Sequence, residues 1–371
     1  MNAANTALDL FRSQGVPHAR IEQWKYSNLR AVVDADAVEH SGGLEWRIKT
    51  LPEGIEQIAI AGDAMPLWYS AHMRKHASAG AMEAAARAFA RGGAAFRVAR
   101  GKHVAQPLQL EFLAHGHGQV VLVLEEESSA TLLEEHSSEG RGLRNISLAI
   151  FLNTGAELTH VRRAPYASGL AAIETIAARV EKDARYKAHF ATLGARLSRT
   201  EINVCLEGEG GEAALSGVSV LNDTAHADIT THIDHAVGKT TSRQLFKKVA
   251  AGHSRAIYQG KITVREGANG SDSRQTAKAL LLGARAEADL KPELEILADD
   301  VKCAHGAAIG ELDTDSLFYL RSRGIAEREA RAMLMRGFLE EAIAEIAQED
   351  IRGQVWQLVE SGLSRALGEA V

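Results

Sequence analysis

The chain has 371 residues, which is enough for about two or three domains and for a substantial hydrophobic core. Its 42 Lys and Arg residues against 48 Asp and Glu give a net charge of −6, so no broad basic surface for nucleic acid is expected. No apolar run is long enough for a membrane span, and the N-terminus lacks the basic start of a secretory signal. The 2 cysteines exclude a disulfide-rich scaffold and favour a reducing, cytoplasmic location.

The first region, residues 1–103, has the composition of helices and loops. A short helix is predicted near Thr6, because Gly15 follows it and ends it. A further helical turn is predicted within residues 22–30, and residues 81–91 are rich in strong helix formers. The prediction is therefore an N-terminal helical region.

Residues 104–311 change to short apolar or alternating stretches, separated by Gly, Asn, Asp and Ser. Only Pro107 and Pro165 occur between residues 104 and 291. A sandwich or barrel of this length would be large, whereas a stacked β-solenoid explains the regular spacing and the absence of helices. We therefore predict a mainly β protein with a central β-solenoid, although no strict repeat motif is visible.

Residues 312–371 are predicted to form a C-terminal helical domain. Asp313 or Asp315 can cap a first helix, and Gly324 supplies the stop at its C-terminus. Two longer helices are predicted after residue 326, each with apolar residues at helical spacing. These apolar side chains either pack on one another and on the β-core or form a surface for a partner.

Two glycine motifs imitate nucleotide-binding loops. The tripeptide Gly238–Thr240 lacks the earlier glycine of a phosphate-binding loop, because Ile233 occupies that position. Gly208 and Gly210 follow a predicted strand, but another strand comes next in place of the helix that a dinucleotide site requires. Neither motif predicts nucleotide binding.

Two further patterns carry residues suited to metal binding. On one strand His226, Asp228, His232 and Asp234 would share a face, which we interpret as solvent-exposed while metal ligation stays open. Cys303 and His305 would also share a strand face, with alpha carbons about 6.5 Å apart. This pair suits iron or zinc ligation, a nucleophile with its base, or simple packing. Cys205, out of phase with its apolar neighbours, is interpreted as a structural thiol.

Several segments resemble the SufB/SufD family of iron–sulfur cluster assembly proteins. The stretch KPELEILADDVKCAHGAAIGEL at residues 291–312 resembles the family signature, and DSLFYLRSRGI at residues 315–325 follows it. The segment RIEQWKYSNL at residues 20–29 looks like a segment of the SufD branch. The modest length and the 2 cysteines also favour SufD over SufB.

The resemblance implies a helical N-terminal region, a central right-handed β-helix and a C-terminal helical bundle. It also implies a non-catalytic scaffold subunit of the SUF machinery, which pairs with a SufB homologue and contacts the ABC-type ATPase SufC. A nascent iron–sulfur cluster would be held transiently at the SufB–SufD interface, and the isolated chain, possible as a homodimer, would carry no cofactor. No nucleic-acid or membrane partner is expected.

By the same resemblance, His305 corresponds to the family's cluster-related histidine and would share iron or a cluster with SufB. Cys303 is the adjacent candidate for cluster assembly. The resemblance places SufC binding in the C-terminal helical domain. The residues concerned are Phe318, Tyr319, Arg321, Arg323, Gly324, Ile325, Met333 and Phe338.

Three other functions are open at this point. A SufB-like homodimeric scaffold and a pure interaction protein without metal chemistry both fit the predicted fold. A carbohydrate-active β-helix enzyme fits less well, because only 5% of the residues are aromatic and no paired-carboxylate motif stands out.

Overall fold

A computed structural model of the chain describes residues 3–61, 65–76, 80–137 and 139–369. It shows a β-solenoid of about 8 turns with helices towards both termini, which confirms the predicted fold class. None of the helices in these ranges combines the length and the apolar composition that crossing a membrane requires.

Each turn of the solenoid contributes one strand to each of two sheets, which we call sheet I and sheet II. Sheet I contains β1 (Trp46–Thr50), β4 (Leu108–Phe112), β6 (Ser129–His136), β8 (Glu157–Tyr166), β10 (Arg185–Gly194), β12 (Glu212–Leu221), β14 (Thr241–Ala250), β16 (Asp272–Leu281) and β18 (Lys302–Gly310), in spatial order. Sheet II contains β2 (Ile55–Ala59), β3 (Gly93–Val98), β5 (Gly116–Leu124), β7 (Gly142–Leu152), β9 (Leu170–Val180), β11 (Leu197–Leu206), β13 (His226–His235), β15 (Arg255–Val264) and β17 (Glu287–Ile296).

Neighbouring strands run parallel throughout the body of the solenoid. Glu157 of β8 pairs with Arg185 of β10, 28 residues later, whereas Arg255 of β15 pairs with Glu287 of β17, 32 residues later. At the N-terminal end β1 and β2 run antiparallel to their neighbours β4 and β3. Because coil length varies, the sequence carries no fixed repeat period.

One corner of the solenoid repeats a left-handed backbone conformation from coil to coil. At each level the amide of the corner residue donates to a carbonyl of the following coil, as Gly155 does to Lys182 at 2.8 Å. Both glycine and charged residues occupy this corner position. What repeats from coil to coil is therefore the backbone conformation and not the type of residue. The corner column consists of Gly101, Glu127, Gly155, Asp183, Gly210, Lys239 and Gly270, with φ between 54° and 76°.

The inward-facing side chains of both sheets form the main core. In β11, for example, Ile202, Val204 and Leu206 are buried inside, while the residues between them point outward. Burial of each such side chain contributes roughly 1.5–3 kcal/mol. The alternation seen in the sequence therefore identifies which residues line the lumen.

The N-terminal helices cover the outer face of sheet II. They are α1 (Ala3–Gln14), α2 (Ala35–His40), α3 (Leu67–Met73) and α4 (Ala81–Phe89), with short 3-10 turns at Glu22–Trp24 and Leu29–Ala31. The apolar face of α4 packs on β5, β7 and β9 through Met82, Ala84 and Ala85.

The C-terminal helices cover the outer face of sheet I. They are α5 (Thr314–Ser322), α6 (Glu327–Ile343) and α7 (Glu349–Glu369). Helix α6 packs on β12 and β14, and α7 packs on β8, β10 and β12. Asp313 accepts a hydrogen bond from the amide of Ser316 at 2.7 Å, and Gly324 has a φ of 87°, so both predicted helix signals are confirmed.

The prediction that residues 1–103 form only helices and loops was wrong for the segments that form β1, β2 and β3. The first two are edge strands of 5 residues each, and β3 is rich in alanine, so their local strand signal is weak. Pairing with β4 and β5 supplies the order that the local sequence does not.

Replacement of Leu339 by Ala tests the packing of α6 on sheet I. Leu339 is fully buried there, so Leu339→Ala should lower the free energy of unfolding by about 2–5 kcal/mol, measured by urea denaturation. Met333→Ala on the exposed side of the same helix is the matched control, with an expected change within about 0.5 kcal/mol. Equal effects of the two substitutions would contradict the packing described above.

Candidate functional site

Among the described residues, no further strand covers β17 and β18, and we call this the open end of the solenoid. Nearly every residue of β18 is exposed, whereas its neighbour β16 alternates between buried and accessible positions. An uncovered strand presents unpaired N–H and C=O groups that can pair with another chain. The open end is thus an edge of the fold at which another strand could pair.

Cys303 and His305 lie on β18, in register with Ser273 and Gln275 of β16. Cys303 is half-buried and packs against the main core, while His305 is exposed. Side chains two residues apart on a strand share a face, so both belong to the inward-facing row at the last coil. The structure brings this pair together at the open end.

A hydrogen-bonded polar column lies beneath His305. Gln275 donates through Nε2 to Tyr258 Oη at 2.8 Å, and Tyr258 donates in turn to Gln244 Oε1 at 3.1 Å. All three side chains are buried. Gln275 is in register with His305, so the column ends directly below the position of His305 in the stack of coils.

A second column of polar side chains lies below Cys303. Below it, Ser273 Oγ lies 2.6 Å from Ser242 Oγ, which lies 3.0 Å from His235 Nε2. Burial raises the pKa of the Cys303 thiol, so it is protonated at neutral pH in the isolated chain. A metal ion or a partner would have to displace that proton before the sulfur could act as a ligand.

Cys205 lies on the outer face of β11, away from the open end. Its Sγ lies 3.7 Å from Asp234 Oδ2. Burial, reinforced by Asp234 and Glu207, raises the pKa of this thiol to about 12. A protonated, unreactive thiol agrees with the interpretation of Cys205 as a structural residue.

An exposed aromatic surface follows the open end on α5. The side chains of Phe318 and Tyr319 are 74% and 57% exposed, and the Arg323 guanidinium lies 5.2 Å from the centre of the Tyr319 ring. Arg321 pairs with Glu327 at 3.2 Å.

The other residues assigned to this surface divide into two groups. Gly324 and Ile325 form the turn between α5 and α6, and Met333 is 47% exposed on α6. Phe338 is half-buried and packs towards sheet I, with the Lys247 Nζ 4.7 Å from the centre of its ring. Phe338 thus supports the helix instead of extending the exposed surface.

The tryptophan segment of residues 20–29 is anchored on sheet II. The Arg199 guanidinium lies 4.2 Å from the centre of the buried Trp24 ring and pairs with Asp228 at 2.5 Å. Ser27 Oγ donates to Asp228 Oδ2 at 2.6 Å and lies 2.9 Å from His226 Nε2.

The solvent-exposed interpretation of this strand face was therefore wrong at Asp228, which is only 1% exposed. The N-terminal segment covers it, a contact across 201 residues that no local pattern can reveal. The same segment reaches the open end, because Glu22 pairs with Lys291 of β17 at 2.8 Å.

A group of buried ionisable side chains inside the lumen escaped the sequence analysis. Glu134 and His136 of β6 and Glu174 of β9 lie there beside His160 and Arg162 of β8. Burial raises the pKa of Glu134 to about 7 and that of Glu174 to about 8. The sequence could have shown this. Side chains alternate between the two faces of a strand, and Glu134 and His136 occupy the same alternate positions as the inward-facing apolar residues earlier in β6.

Fold and site together define a class: a helix-flanked β-solenoid whose last strand carries a thiol and an imidazole at an uncovered edge. The family model of the SUF system FeS cluster assembly, SufBD core domain, matches residues 111–338. The chain belongs to this family, and its function lies in iron–sulfur cluster assembly through the SUF system.

Curated relatives agree with the resemblance to SufD. The chain is 28% identical to the iron-sulfur cluster assembly protein SufD of Escherichia coli, over 92% of this chain and 88% of that protein. It is 28% identical to a SufBD family protein of Mycobacterium tuberculosis, over 94% of this chain and 89% of that one. A SufBD family protein of Synechocystis is 30% identical over 65% of this chain and 55% of its own length.

The half-buried contact of His226 with Ser27 predicts acid sensitivity. Burial lowers the pKa of His226 from its ordinary 6.5 to about 4, against the opposing effect of Asp228. The unfolded chain therefore binds more protons in this window, so the stability contribution is full above pH 6.5 and falls as the pH drops towards 4, by up to about 3 kcal/mol. Urea denaturation at several pH values measures the slope.

His226→Gln should flatten that slope. His253→Gln, at an exposed position, serves as the matched control and should leave the slope unchanged. An identical pH dependence in wild type and His226→Gln would rule out this source of acid sensitivity.

Proposed function

We propose that the chain is a non-catalytic scaffold subunit of the SUF machinery that works in the cytoplasm. It would pair with a SufB-type subunit and with the ATPase SufC, and together they would assemble nascent iron–sulfur clusters and pass them to acceptors. The observation that carries this proposal is His305, exposed on the uncovered strand β18 beside the half-buried Cys303.

The ligand count supports a cluster shared with a partner. Imidazole and thiolate both bind iron in iron–sulfur centres, but a cluster with four ligands exceeds what Cys303 and His305 supply. Cys205 lies on β11, several coils away. The remaining ligands would therefore come from the SufB-type subunit, and the cluster would be transient at that interface.

The proposed SufC contact is the exposed aromatic surface of α5. Aromatic and arginine side chains dominate the binding energy of many protein interfaces, and Phe318, Tyr319 and Arg323 form such a group here. Only residues 311–313 separate the end of β18 from the start of α5. A displacement of α5 by nucleotide-driven pairing of two SufC subunits would thus act directly on the strand that carries His305.

A carbohydrate-active enzyme is disfavoured by the cleft between α6 and sheet I. This cleft has a volume of about 350 Å³, and its lining residues include Lys187, Arg243 and Glu345 but no Phe, Tyr or Trp among the residues the structure describes. Sugar-binding grooves of β-helix enzymes usually use aromatic rings for stacking. The SufB-like homodimer is the alternative that fits the open end, since a second copy could pair along β18.

His305→Ala tests the cluster role. The side chain is exposed on the uncovered strand, so the variant should fold and still bind its partners. Cluster formation in the reconstituted complex, measured anaerobically from iron, sulfide and absorption, should fall severalfold or more. Lys302→Ala on the same strand is the matched control. Wild-type cluster yield in His305→Ala would count against the proposal.

Phe318→Ala together with Tyr319→Ala tests the SufC surface. Loss of two exposed aromatic anchors should weaken SufC binding by about 2 kcal/mol or more, roughly 30-fold in Kd, measured by calorimetry. Leu67→Ala supplies the control, because Leu67 is 78% exposed but lies on α3. An unchanged Kd in the double variant would place the SufC contact elsewhere.

A further inference from the structure

The solenoid lumen holds ionisable side chains where neighbouring coils hold apolar ones. Glu134, His136 and Glu174 each offer one metal-ligating atom, and these three atoms all lie within 4.8 Å of one another. We propose that this lumenal site binds one divalent transition-metal ion, of the class that includes Zn²⁺ and Fe²⁺. The site is independent of the open end, since six strand spacings of about 4.8 Å separate β6 from β18, roughly 29 Å.

Outer contacts hold two of the three ligands in place. Arg162 Nε lies 2.5 Å from Glu174 Oε2, and the other oxygen, Oε1, lies 3.9 Å from His136 Nε2. Tyr166 Oη lies 3.3 Å from His136 Nδ1. In metal sites such partners fix the orientation of the ligating imidazole and carboxylate.

Glu134 has an equivalent outer partner in His160, whose Nε2 lies 3.0 Å from Glu134 Oε2. The Nδ1 of His160 in turn lies 3.0 Å from Tyr186 Oη, so this imidazole is itself held. All three ligands therefore have the second layer of contacts that metal-binding side chains typically show.

The ligand atoms themselves lack hydrogen-bond partners. Within the described part of the chain this is true of both carboxylate oxygens of Glu134 and of Glu174 and of Nε2 of His136, all of them buried. Arg162 and His160 lie close enough for ion pairs, but not in hydrogen-bond geometry. Buried polar atoms nearly always have partners. A proton shared between the carboxyl groups of Glu134 and Glu174 would provide a partner for these two side chains, whereas a bound ion would provide one for all three ligands.

The donor set selects the class of ion. Two carboxylate oxygens and one imidazole nitrogen suit Zn²⁺ or Fe²⁺, whereas Mg²⁺ prefers an all-oxygen, largely hydrated site. Two ionised carboxylates match the charge of a divalent ion, and the ion would compete for Glu174 with the Arg162 guanidinium. His136 would carry its proton on Nδ1, towards Tyr166, and present the lone pair of Nε2 to the ion.

A metal-free explanation of the same group exists and is the rival to be tested. Arg144 and Arg162 are two buried guanidiniums, and they can balance Glu134 and Glu174 without any ion. Arg144 donates to the carbonyls of Ala114 and Leu113 and faces the ring of Tyr166. The two explanations predict different metal contents for the purified chain, and metal content can be measured directly.

The first experiment uses Co²⁺ as the probe with the full chain. The protein is refolded anaerobically with excess Co²⁺, treated briefly with EDTA and desalted, and its cobalt content and visible absorption are measured. We expect about one Co²⁺ per chain with ligand-field bands. Zn²⁺ or Fe²⁺ present during refolding should compete, and Mg²⁺ should not. Co²⁺ added after folding should be removed by EDTA, because the site is closed.

Matched variants locate the ion. Glu134→Gln keeps the side-chain shape and should reduce retained Co²⁺ roughly tenfold or more. Glu135→Gln changes the next residue, which pairs with Arg163 on the outer face, and should retain Co²⁺ like wild type. His305→Ala should also retain it, which separates this site from the open end. Should Glu134→Gln not fold, His136→Asn serves in its place.

Two results would overturn the proposal. A wild-type chain that retains no cobalt after refolding, and no zinc or iron when prepared from cells grown with these metals, leaves the guanidinium balance as the explanation. Equal retention by Glu134→Gln and Glu135→Gln would show that the ion binds elsewhere. Neither result bears on the role proposed for His305, because the readout is metal content of the isolated chain.

Discussion

Parallel pairing of each coil with the next is the interaction on which the rest of this structure depends. Every inner strand of sheets I and II finds its backbone partners one coil earlier and one coil later, so unpaired backbone groups arise at the two ends of the stack. At the N-terminal end β1 and β2 run antiparallel to the strands they cover. At the open end β17 and β18 lie uncovered, and that is where the thiol and the imidazole are found.

The outer faces follow from the same constraint, because a stack of coils presents two broad surfaces that must be covered. Helices from the N-terminal part lie on sheet II, and α6 and α7 lie on sheet I. Helix α5 does not share in that cover and keeps Phe318 and Tyr319 exposed. The chain thus has helices that stabilise the solenoid and one helix that leaves its aromatic side chains exposed.

The predictable parts of the fold and the site were those with a local cause. Asp313 and Gly324 mark helix ends by their own chemistry, and the spacing of Cys303 and His305 places them on one strand face. The burial of Asp228 could not be predicted, because the covering residue Ser27 is 201 positions away. Glu134 was predictable only in part. The alternation along β6 indicates that its side chain faces inward, but the residues that it contacts lie on other coils.

The corner column has a consequence for how such a chain can change in length. Since each level repeats the same turn, a complete coil of about 28 residues could be duplicated or lost without altering the geometry of the coils on either side. Contacts on both outer faces oppose this freedom. Helices α6 and α7 bridge β8 to β14 on sheet I, and α4 bridges β5 to β9 on sheet II. The N-terminal segment adds contacts to Arg199, Asp228 and Lys291, which extend from β11 to β17. The covering elements, and not the corner turn, therefore fix the number of coils.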